Sequence, residues 1–248
     1  MTRPLIVGNW KMHGLTAQLA DIEALAASMS AEPVRADVLI CPPFTLIASA
    51  ARIAGPFVSI GAQDCHHETS GAFTGEISAR MLKDAGASAV IVGHSECRLQ
   101  QGETSERVAA KANAAVGAGL LAIICIGETQ VERASGQALY TCAAQLTRSV
   151  PKDIAASAIA IGYEPLWAIG SGEVPTGDRI AEMHGHIRQC LVHLLGAAGG
   201  NVRIVYGGSI EPDNAGGVLA LPEVGGVLVG GASLKPRDFE AIVRAVSP

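Results

Sequence analysis

A strand-like segment that recurs eight times is the feature that most constrains the fold of this chain. Each copy is a short, nearly continuous apolar run rich in β-branched residues, which is typical of a parallel strand buried on both faces. The eight runs are 5–10, 37–42, 58–63, 89–94, 121–127, 159–164, 202–207 and 226–230. Amphipathic helical patterns lie between the runs, for example at 16–29, 105–118, 179–195 and 236–245.

Eight strand–helix units in 248 residues predict an α/β fold, a (β/α)8 barrel of eight parallel strands surrounded by helices. A doubly wound open sheet is the alternative, but it rarely uses eight such even units. The sequence contains no linker, low-complexity segment or block of like charges. We therefore expect residues 1–248 to form a single domain.

Charge and cysteine usage narrow the possible partners and location. The formal net charge is -5, which argues against a nucleic-acid surface. The six cysteines are scattered without a C-x-x-C pair, as in a reduced cytoplasmic protein. We expect no membrane partner, because no signal-peptide core and no membrane-spanning apolar stretch are present. His66-His67-Glu68 and the pair His184 and His186 match no standard zinc spacing, so we expect no metal.

Polar or glycine residues follow five of the eight predicted strands. In a barrel of this kind, the carboxyl ends of the strands meet at one rim, where the chemistry takes place. Lys11 follows the first strand, His94 ends the fourth and Glu164 ends the sixth, while the last two strands run into glycine-rich turns at 207–209 and 230–231. Each feature alone has an ordinary structural explanation. Together they predict an ammonium, an imidazole, a carboxylate and two glycine turns around a common centre.

These groups suit the removal of a proton from a carbon next to a carbonyl group. Glu164 would take the proton, and His94 would donate a hydrogen bond to the carbonyl oxygen. Lys11 would attract an anionic substrate. Backbone N–H groups of the glycine turns, with a short helix that begins near Ala232, would hold a phosphate. A barrel that binds phosphates without turnover is the alternative, and the joint presence of Lys11, His94 and Glu164 argues against it.

Six motifs, in order along the chain, resemble those of the triosephosphate isomerase family. They are NWKM at 9–12, GAFTGEIS at 71–78, GHSE at 93–96, YEPLWAIGSG at 163–172, YGGS at 206–209 and VGGASL at 229–234. The resemblance implies a TIM barrel that interconverts D-glyceraldehyde 3-phosphate and dihydroxyacetone phosphate through an enediolate, in glycolysis and gluconeogenesis, without a cofactor. An isomerase of a four-carbon ketose phosphate, such as erythrulose 1-phosphate, is the nearest alternative.

The resemblance also implies a role for each matching residue. Glu164 is the base, His94 the neutral electrophile and Lys11 the electrostatic stabiliser; this family is itself the standard example of a glutamate base beside a neutral histidine. Ser95 and Glu96 support these residues. The substrate-binding set that the motifs imply is Asn9, Lys11, Gly170, Ser209, Gly230 and Gly231.

The family resemblance further implies a moving lid and a homodimer. The lid is the segment 165–176, which closes over the intermediate and excludes water. The irregular segment 64–75 is the loop that reaches into the partner subunit, with Thr74 near its tip. A loop of this length inside a compact domain is usually functional, which is consistent with such a role.

The chain departs from the usual family pattern at three places. Cys97 stands where an arginine often follows GHSE, which puts the pairing of that arginine with Glu103 in doubt. Asp64 replaces a more usual asparagine and adds a negative charge near the dimer loop. Pro175 lies in the second hinge of the lid, where it should restrict motion, so we expect altered lid kinetics with activity retained.

Overall fold

The computed structural model describes residues 3–169 and 175–246 of the chain. Eight parallel strands close into a barrel in which neighbours along the chain are neighbours in space and β8 pairs with β1. The strands are β1 (Leu5–Asn9), β2 (Asp37–Cys41), β3 (Val58–Ala62), β4 (Ala89–Val92), β5 (Leu121–Ile126), β6 (Ile159–Tyr163), β7 (Arg203–Tyr206) and β8 (Gly226–Val229). The predicted fold class is confirmed.

Helices follow the strands and surround the barrel. The α-helices are α1 (Leu19–Ala31), α2 (Ile47–Ile53), α3 (Ala79–Asp84), α4 (Ser95–Gln100), α5 (Ser105–Gly117), α6 (Gln130–Ala134), α7 (Ala138–Ser149), α8 (Gly177–Leu195), α9 (Pro212–Leu219) and α10 (Pro236–Arg244). Short 3₁₀ segments occur at Thr16–Gln18, Phe44–Leu46, Ala156–Ala158, Leu166–Ala168, Gly196–Asn201 and Gly231–Leu234.

The strands read as continuous apolar runs because both of their faces are buried. Alternate residues such as Val7, Ile91 and Val205 fill the barrel interior, whereas their neighbours pack outward against the helices. Inward and outward sets therefore form two separate apolar clusters, as layered packing inside a (β/α)8 barrel requires.

The strands end one or two residues earlier than the apolar runs predict. The β4 ladder stops at Val92 and the β6 ladder at Tyr163, so His94 and Glu164 lie just beyond the sheet, in the loops that follow. The predicted helix near Ala232 is a four-residue 3₁₀ turn at Gly231–Leu234. Its glycine-rich start disfavours a longer helix.

No helix within the described ranges is both long and apolar enough to cross a membrane.

Candidate active site

A cavity of about 260 Å³ opens at the carboxyl ends of the strands. It brings together the predicted residues Asn9, Lys11, His94, Glu164, Ser209, Gly230 and Gly231. The predicted phosphate ligand Gly170 lies outside the described residues. The cavity also has apolar walls that the sequence reasoning missed, and these include Ile169, Ile210 and Leu228.

A larger cavity of about 440 Å³ opens at the opposite mouth of the barrel. Asp37 and Arg203 face each other there, with Arg203 Nη1 2.6 Å from Asp37 Oδ2, and Arg3 also contacts Asp37. Asp37 and Arg203 begin β2 and β7, and both arginines pair with Asp37. In barrels of this type the amino-terminal face contributes to stability and the carboxyl face to chemistry, so we place the active site in the smaller cavity.

Glu164 is almost fully buried at 2% exposure, yet both of its carboxylate oxygens have donors. The N–H of Ser95 lies 2.9 Å from Oε2, and Ser95 Oγ and His94 Nε2 lie 3.3 and 3.0 Å from Oε1. Burial alone would raise the pKa of Glu164. The contacts with His94 and Ser95 and the charge of Lys11 lower it by more than burial raises it, so the pKa lies below the ordinary value. The carboxylate is therefore ionised and ready to accept a proton.

His94 precedes α4 and accepts a hydrogen bond at Nδ1 from the N–H of Glu96, at 3.2 Å. With Nδ1 as the acceptor of that bond, Nε2 is the ring nitrogen that carries the proton facing Glu164. Burial lowers the pKa of His94, but the adjacent Glu164 carboxylate raises it and prevails in the unliganded site. A substrate that separates Glu164 from His94 removes this raising influence and favours the neutral ring.

Lys11 has an unusual backbone conformation for a residue with a side chain, with φ of 52°. Its N–H donates to Asn9 Oδ1 at 3.0 Å, and its carbonyl oxygen accepts from Gln63 Nε2 at 2.9 Å. Its Nζ lies 2.7 Å from Glu96 Oε1. Strain of this kind concentrates at functional sites, and the Lys11 side chain lines the cavity.

The glycine turns after β7 and β8 are held by side chains around them. Ser233 Oγ donates to Gly230 O at 2.6 Å, and Asn214 Nδ2 donates to Ser209 O at 3.2 Å. A Cβ added to Gly208 would overlap the hydroxyl group of Tyr206. Gly207, Gly208, Gly230 and Gly231 all line the cavity, so no side chain covers the backbone at these four positions.

Glu128, which sequence reasoning missed, is the most connected carboxylate of the described structure. It is completely buried directly after β5, where it accepts bonds from Trp167 Nε1 at 2.8 Å, Arg133 Nη1 at 3.0 Å and Tyr163 Oη at 3.2 Å. Trp167 belongs to the predicted lid, so Glu128 ties the start of this segment to the barrel. The signal was available, since Glu128 follows an apolar strand just as Glu164 does.

The departures at positions 64 and 97 are accommodated by a lysine. Lys111 Nζ lies 2.7 Å from both carboxylate oxygens of Asp64 and also pairs with Glu103. Glu103 therefore has a cationic partner although Cys97 replaces the usual arginine. Its Oε2 remains buried without a partner among the described residues.

Two further observations concern the Cys125 thiol and clusters of metal-ligating side chains. Burial raises the pKa of the Cys125 thiol well above its ordinary value, consistent with core packing and not with a nucleophile. Within residues 3–169 and 175–246, no cluster of three or more His, Cys, Asp or Glu side chains could hold a metal ion.

Comparison with known proteins gives a consistent result. Residues 4–246 match the family model described as triosephosphate isomerase. The triosephosphate isomerase of Xanthobacter flavus is 53% identical over 245 residues, which are 98% of both chains. That of Ruegeria pomeroyi is 53% identical over 248 residues, covering 99% of this chain and 98% of the relative. A crystal structure of triosephosphate isomerase from Bartonella henselae, 43% identical, matches with a TM-score of 0.92 over 98% of both chains.

Proposed function

The chain belongs to the triosephosphate isomerase family, and from that premise we propose how its residues interconvert D-glyceraldehyde 3-phosphate and dihydroxyacetone phosphate. The reaction is an aldose–ketose isomerisation, an intramolecular oxidoreduction used in glycolysis and gluconeogenesis. The observation that carries our assignment of roles is the buried, ionised Glu164 in contact with His94 Nε2, at 3.0 Å.

Glu164 moves a proton between the two substrate carbons. Oε2 accepts from the N–H of Ser95, and Oε1 contacts Ser95 Oγ and His94 Nε2, so the substrate competes with these donors for the carboxylate. A carboxylate freed from these donors inside a buried cavity becomes a stronger base, because burial disfavours its charged form.

His94 polarises the substrate carbonyl, and Lys11 stabilises the negative charge of the enediolate. The Nε2–H of His94 is the donor that Glu164 occupies in the unliganded structure, so it is available once the substrate enters. Asn9 orients Lys11 through its backbone N–H, Ser95 holds Glu164, and Glu96 holds both Lys11 Nζ and His94 Nδ1. A fixed donor and a fixed charge at the developing oxyanion stabilise the transition state with little reorganisation.

The substrate phosphate binds to the turns after β7 and β8. Ser209, Gly230 and Gly231 line this part of the cavity. Gly170, the further phosphate ligand that the sequence motif implies, lies outside the described residues. The lid spans residues 165–176, of which 170–174 lie outside the described ranges. Its closure keeps water from the enediolate phosphate, which would otherwise lose its phosphate group.

The protein acts as a homodimer through the face formed after β1 to β4. Residues 68–76 of the long loop, including Thr74, are exposed in the single chain. Large apolar side chains are exposed on the neighbouring segments, among them Met12 at 96%, Leu99 at 65% and Met81 at 55%. Burial of such side chains between two chains is favourable, and it gives the long loop a partner.

The proposal also covers domain organisation, location and cofactors. The chain acts as one domain in the cytoplasm, where its free thiols stay reduced. No step of the proton transfer needs a metal or an organic cofactor, because carboxylate, imidazole and ammonium groups supply the acid–base and electrostatic chemistry.

The test is turnover of the three-carbon pair with a metal chelator present, run alongside erythrulose 1-phosphate. We expect fast interconversion of glyceraldehyde 3-phosphate and dihydroxyacetone phosphate that the chelator leaves unchanged. Robust turnover of the four-carbon sugar with little turnover of the trioses would retain the catalytic roles but reassign the substrate. Loss of triose turnover with the chelator would contradict a metal-independent mechanism.

A further inference from the structure

The end of β5 and the loop after it bond the backbone at Glu164 and two residues beyond it. The N–H of Glu164 donates to the carbonyl oxygen of Ile126 at 2.8 Å, and the N–H of Leu166 donates to that of Glu128 at 3.1 Å. Residues 126–128 therefore fix the position at which the Glu164 side chain leaves the backbone. Any shift of these three residues moves the carboxylate with them.

Gly127 lies in the centre of this segment, and it has no side chain that could make a stabilising contact. A Cβ at this position would overlap the carbonyl oxygen of Glu164. The close approach thus requires glycine, which is also the residue with the greatest backbone freedom. An external contact has to restrain it.

Gln145 supplies that contact from α7, on the outside of the barrel. Its Oε1 accepts from the N–H of Gly127 at 2.9 Å, and its Nε2 donates to the carbonyl oxygen of Gly127 at 2.9 Å. One side-chain amide thus satisfies both backbone polar groups of the glycine, as a neighbouring strand would. Arg98 bonds the carbonyl oxygen of Cys125, so the carboxyl end of β5 is held from two helices.

We propose that Gln145 is a positioning residue for proton transfer, which it supports by fixing Gly127 and through it the backbone of Glu164. The inference rests on the role proposed above for Glu164. Catalytic groups have to be held within about 0.5 Å of the productive geometry, and a misplacement of about 1 Å can reduce the rate about 100-fold. The phosphate turns belong to β7 and β8, so the loss of this restraint affects the base more than substrate binding.

The experiment replaces Gln145 by Met, which has a similar length but neither hydrogen bond. We expect the kcat of Gln145→Met to fall about tenfold, while KM and the inhibition constant of inorganic phosphate stay within twofold. Gln145→Glu is the second variant, used if Gln145→Met does not fold. Glutamate has nearly the volume of glutamine and keeps the acceptor for the Gly127 N–H. The kcat of Gln145→Glu should fall at least about threefold. The matched control is Gln189→Met, at an exposed position of α8, which should leave kcat unchanged.

A double-mutant cycle with Glu164→Asp separates a positioning role from a structural one. If Gln145 acts through Glu164, the two substitutions together should reduce kcat by clearly less than the product of their separate effects. Fully multiplicative effects would overturn the proposal, as would an unchanged kcat in a Gln145 variant that is merely less stable to urea. Glu164→Gln is measured in the same series. If this variant stays fully active, the assignment of Glu164 as the base fails. If Glu164→Gln is inactive but Gln145→Met has a normal kcat, only the role of Gln145 is overturned.

Discussion

Single residues decide the geometry of this site through contacts that leave no room for a larger side chain. A Cβ on Gly207 would lie 3.0 Å from Cγ of Glu164 and 3.3 Å from the carbonyl oxygen of Tyr163. The N–H of Gly207 also donates to that carbonyl at 2.7 Å, so the turn cannot simply move away. The side chain of Glu164 therefore packs directly on the first glycine of the turn after β7.

The substitution Gly207→Ala should lower kcat about tenfold, because Glu164 Cγ must shift to admit the methyl group. The control is Gly217→Ala, inside α9, where an added Cβ meets no atom within 4 Å. That variant should keep full activity and gain about 0.5 to 1 kcal/mol of stability, since alanine favours a helix. Steady-state kinetics and urea unfolding of both variants make the comparison, and equal kcat values for the two would contradict it.

His184 makes the stability of the fold depend on pH. It is completely buried, its Nδ1 contacts the carbonyl oxygen of Glu223 at 3.2 Å, and burial lowers its pKa from 6.5 to about 4. Below pH 6.5 the unfolded chain binds a proton here that the folded chain does not accept until about pH 4. The folded state should therefore lose about 3 kcal/mol as the pH falls from 7 to 4.

This pH effect is measured as the free energy of urea unfolding at pH 7 and pH 5, at one protein concentration. We expect the unfolding free energy of His184→Gln to depend less on pH, whatever the stability of this variant at pH 7. His193→Gln, at an exposed position of α8, should keep the slope of the unchanged protein. If all three proteins show the same slope, His184 is not the group responsible.

At the scale of elements, the described residues at both ends of segment 165–176 bear on its proposed role as a lid. Trp167 bonds the buried Glu128 beside β5, and Arg133 from α6 lies over the Trp167 ring at 4.9 Å. At the other end, the buried Pro175 directly precedes Thr176, the residue before α8. A proline at a hinge removes backbone freedom from the open state, which makes closure less costly.

We expect kcat/KM of Pro175→Ala to be about two- to fivefold lower. Alanine leaves the φ angle free in the open state, and fixing that angle on closure costs about 0.4 to 1 kcal/mol. Pro56→Ala, in an exposed loop at the amino-terminal side of the barrel, is the control and should be unchanged. Identical kcat and KM in Pro175→Ala and the unchanged protein would count against a hinge role for this proline.

At the scale of the whole molecule, the exposed apolar face beside Lys11 predicts a partner chain that covers it. Met12 directly follows Lys11, and its side chain is 96% exposed. Exposure of such an apolar side chain to water is unfavourable. Dimer formation should therefore cover this face and immobilise Lys11. Monomers should fold, because the described barrel closes within one chain, but they should be poorly active.

The substitution Thr74→Arg should dissociate the dimer, because it places a charge at the tip of the exposed loop. Sedimentation of this variant should give a monomer with kcat/KM reduced at least about tenfold. Tyr140→Arg, at a 72% exposed position of α7 away from this loop, is the control and should remain a dimer. A dimeric and fully active Thr74→Arg would show that the interface lies elsewhere.

The sequence predicts a parallel sheet because its strands are apolar on both faces, and it predicts a barrel because the strand–helix unit recurs eight times. It also predicts the polar residues at the rim, such as Lys11 and His94, because they interrupt apolar runs. It does not predict Leu228 as a wall of the cavity, since inward and outward residues of a doubly buried strand are equally apolar. Nor does it predict the pairing of Lys111 with Asp64, whose separation of 47 positions is bridged only by the fold.

The most direct test of the account is the kcat of Glu164→Gln for triose phosphate interconversion, with the inhibition constant of inorganic phosphate measured on the same protein. Glutamine keeps the shape of the side chain but cannot accept a proton from carbon. We predict a loss of kcat of at least about 1000-fold with phosphate affinity within twofold of the unchanged protein. A variant that retains more than about a tenth of the original kcat would contradict the assignment of Glu164 as the base.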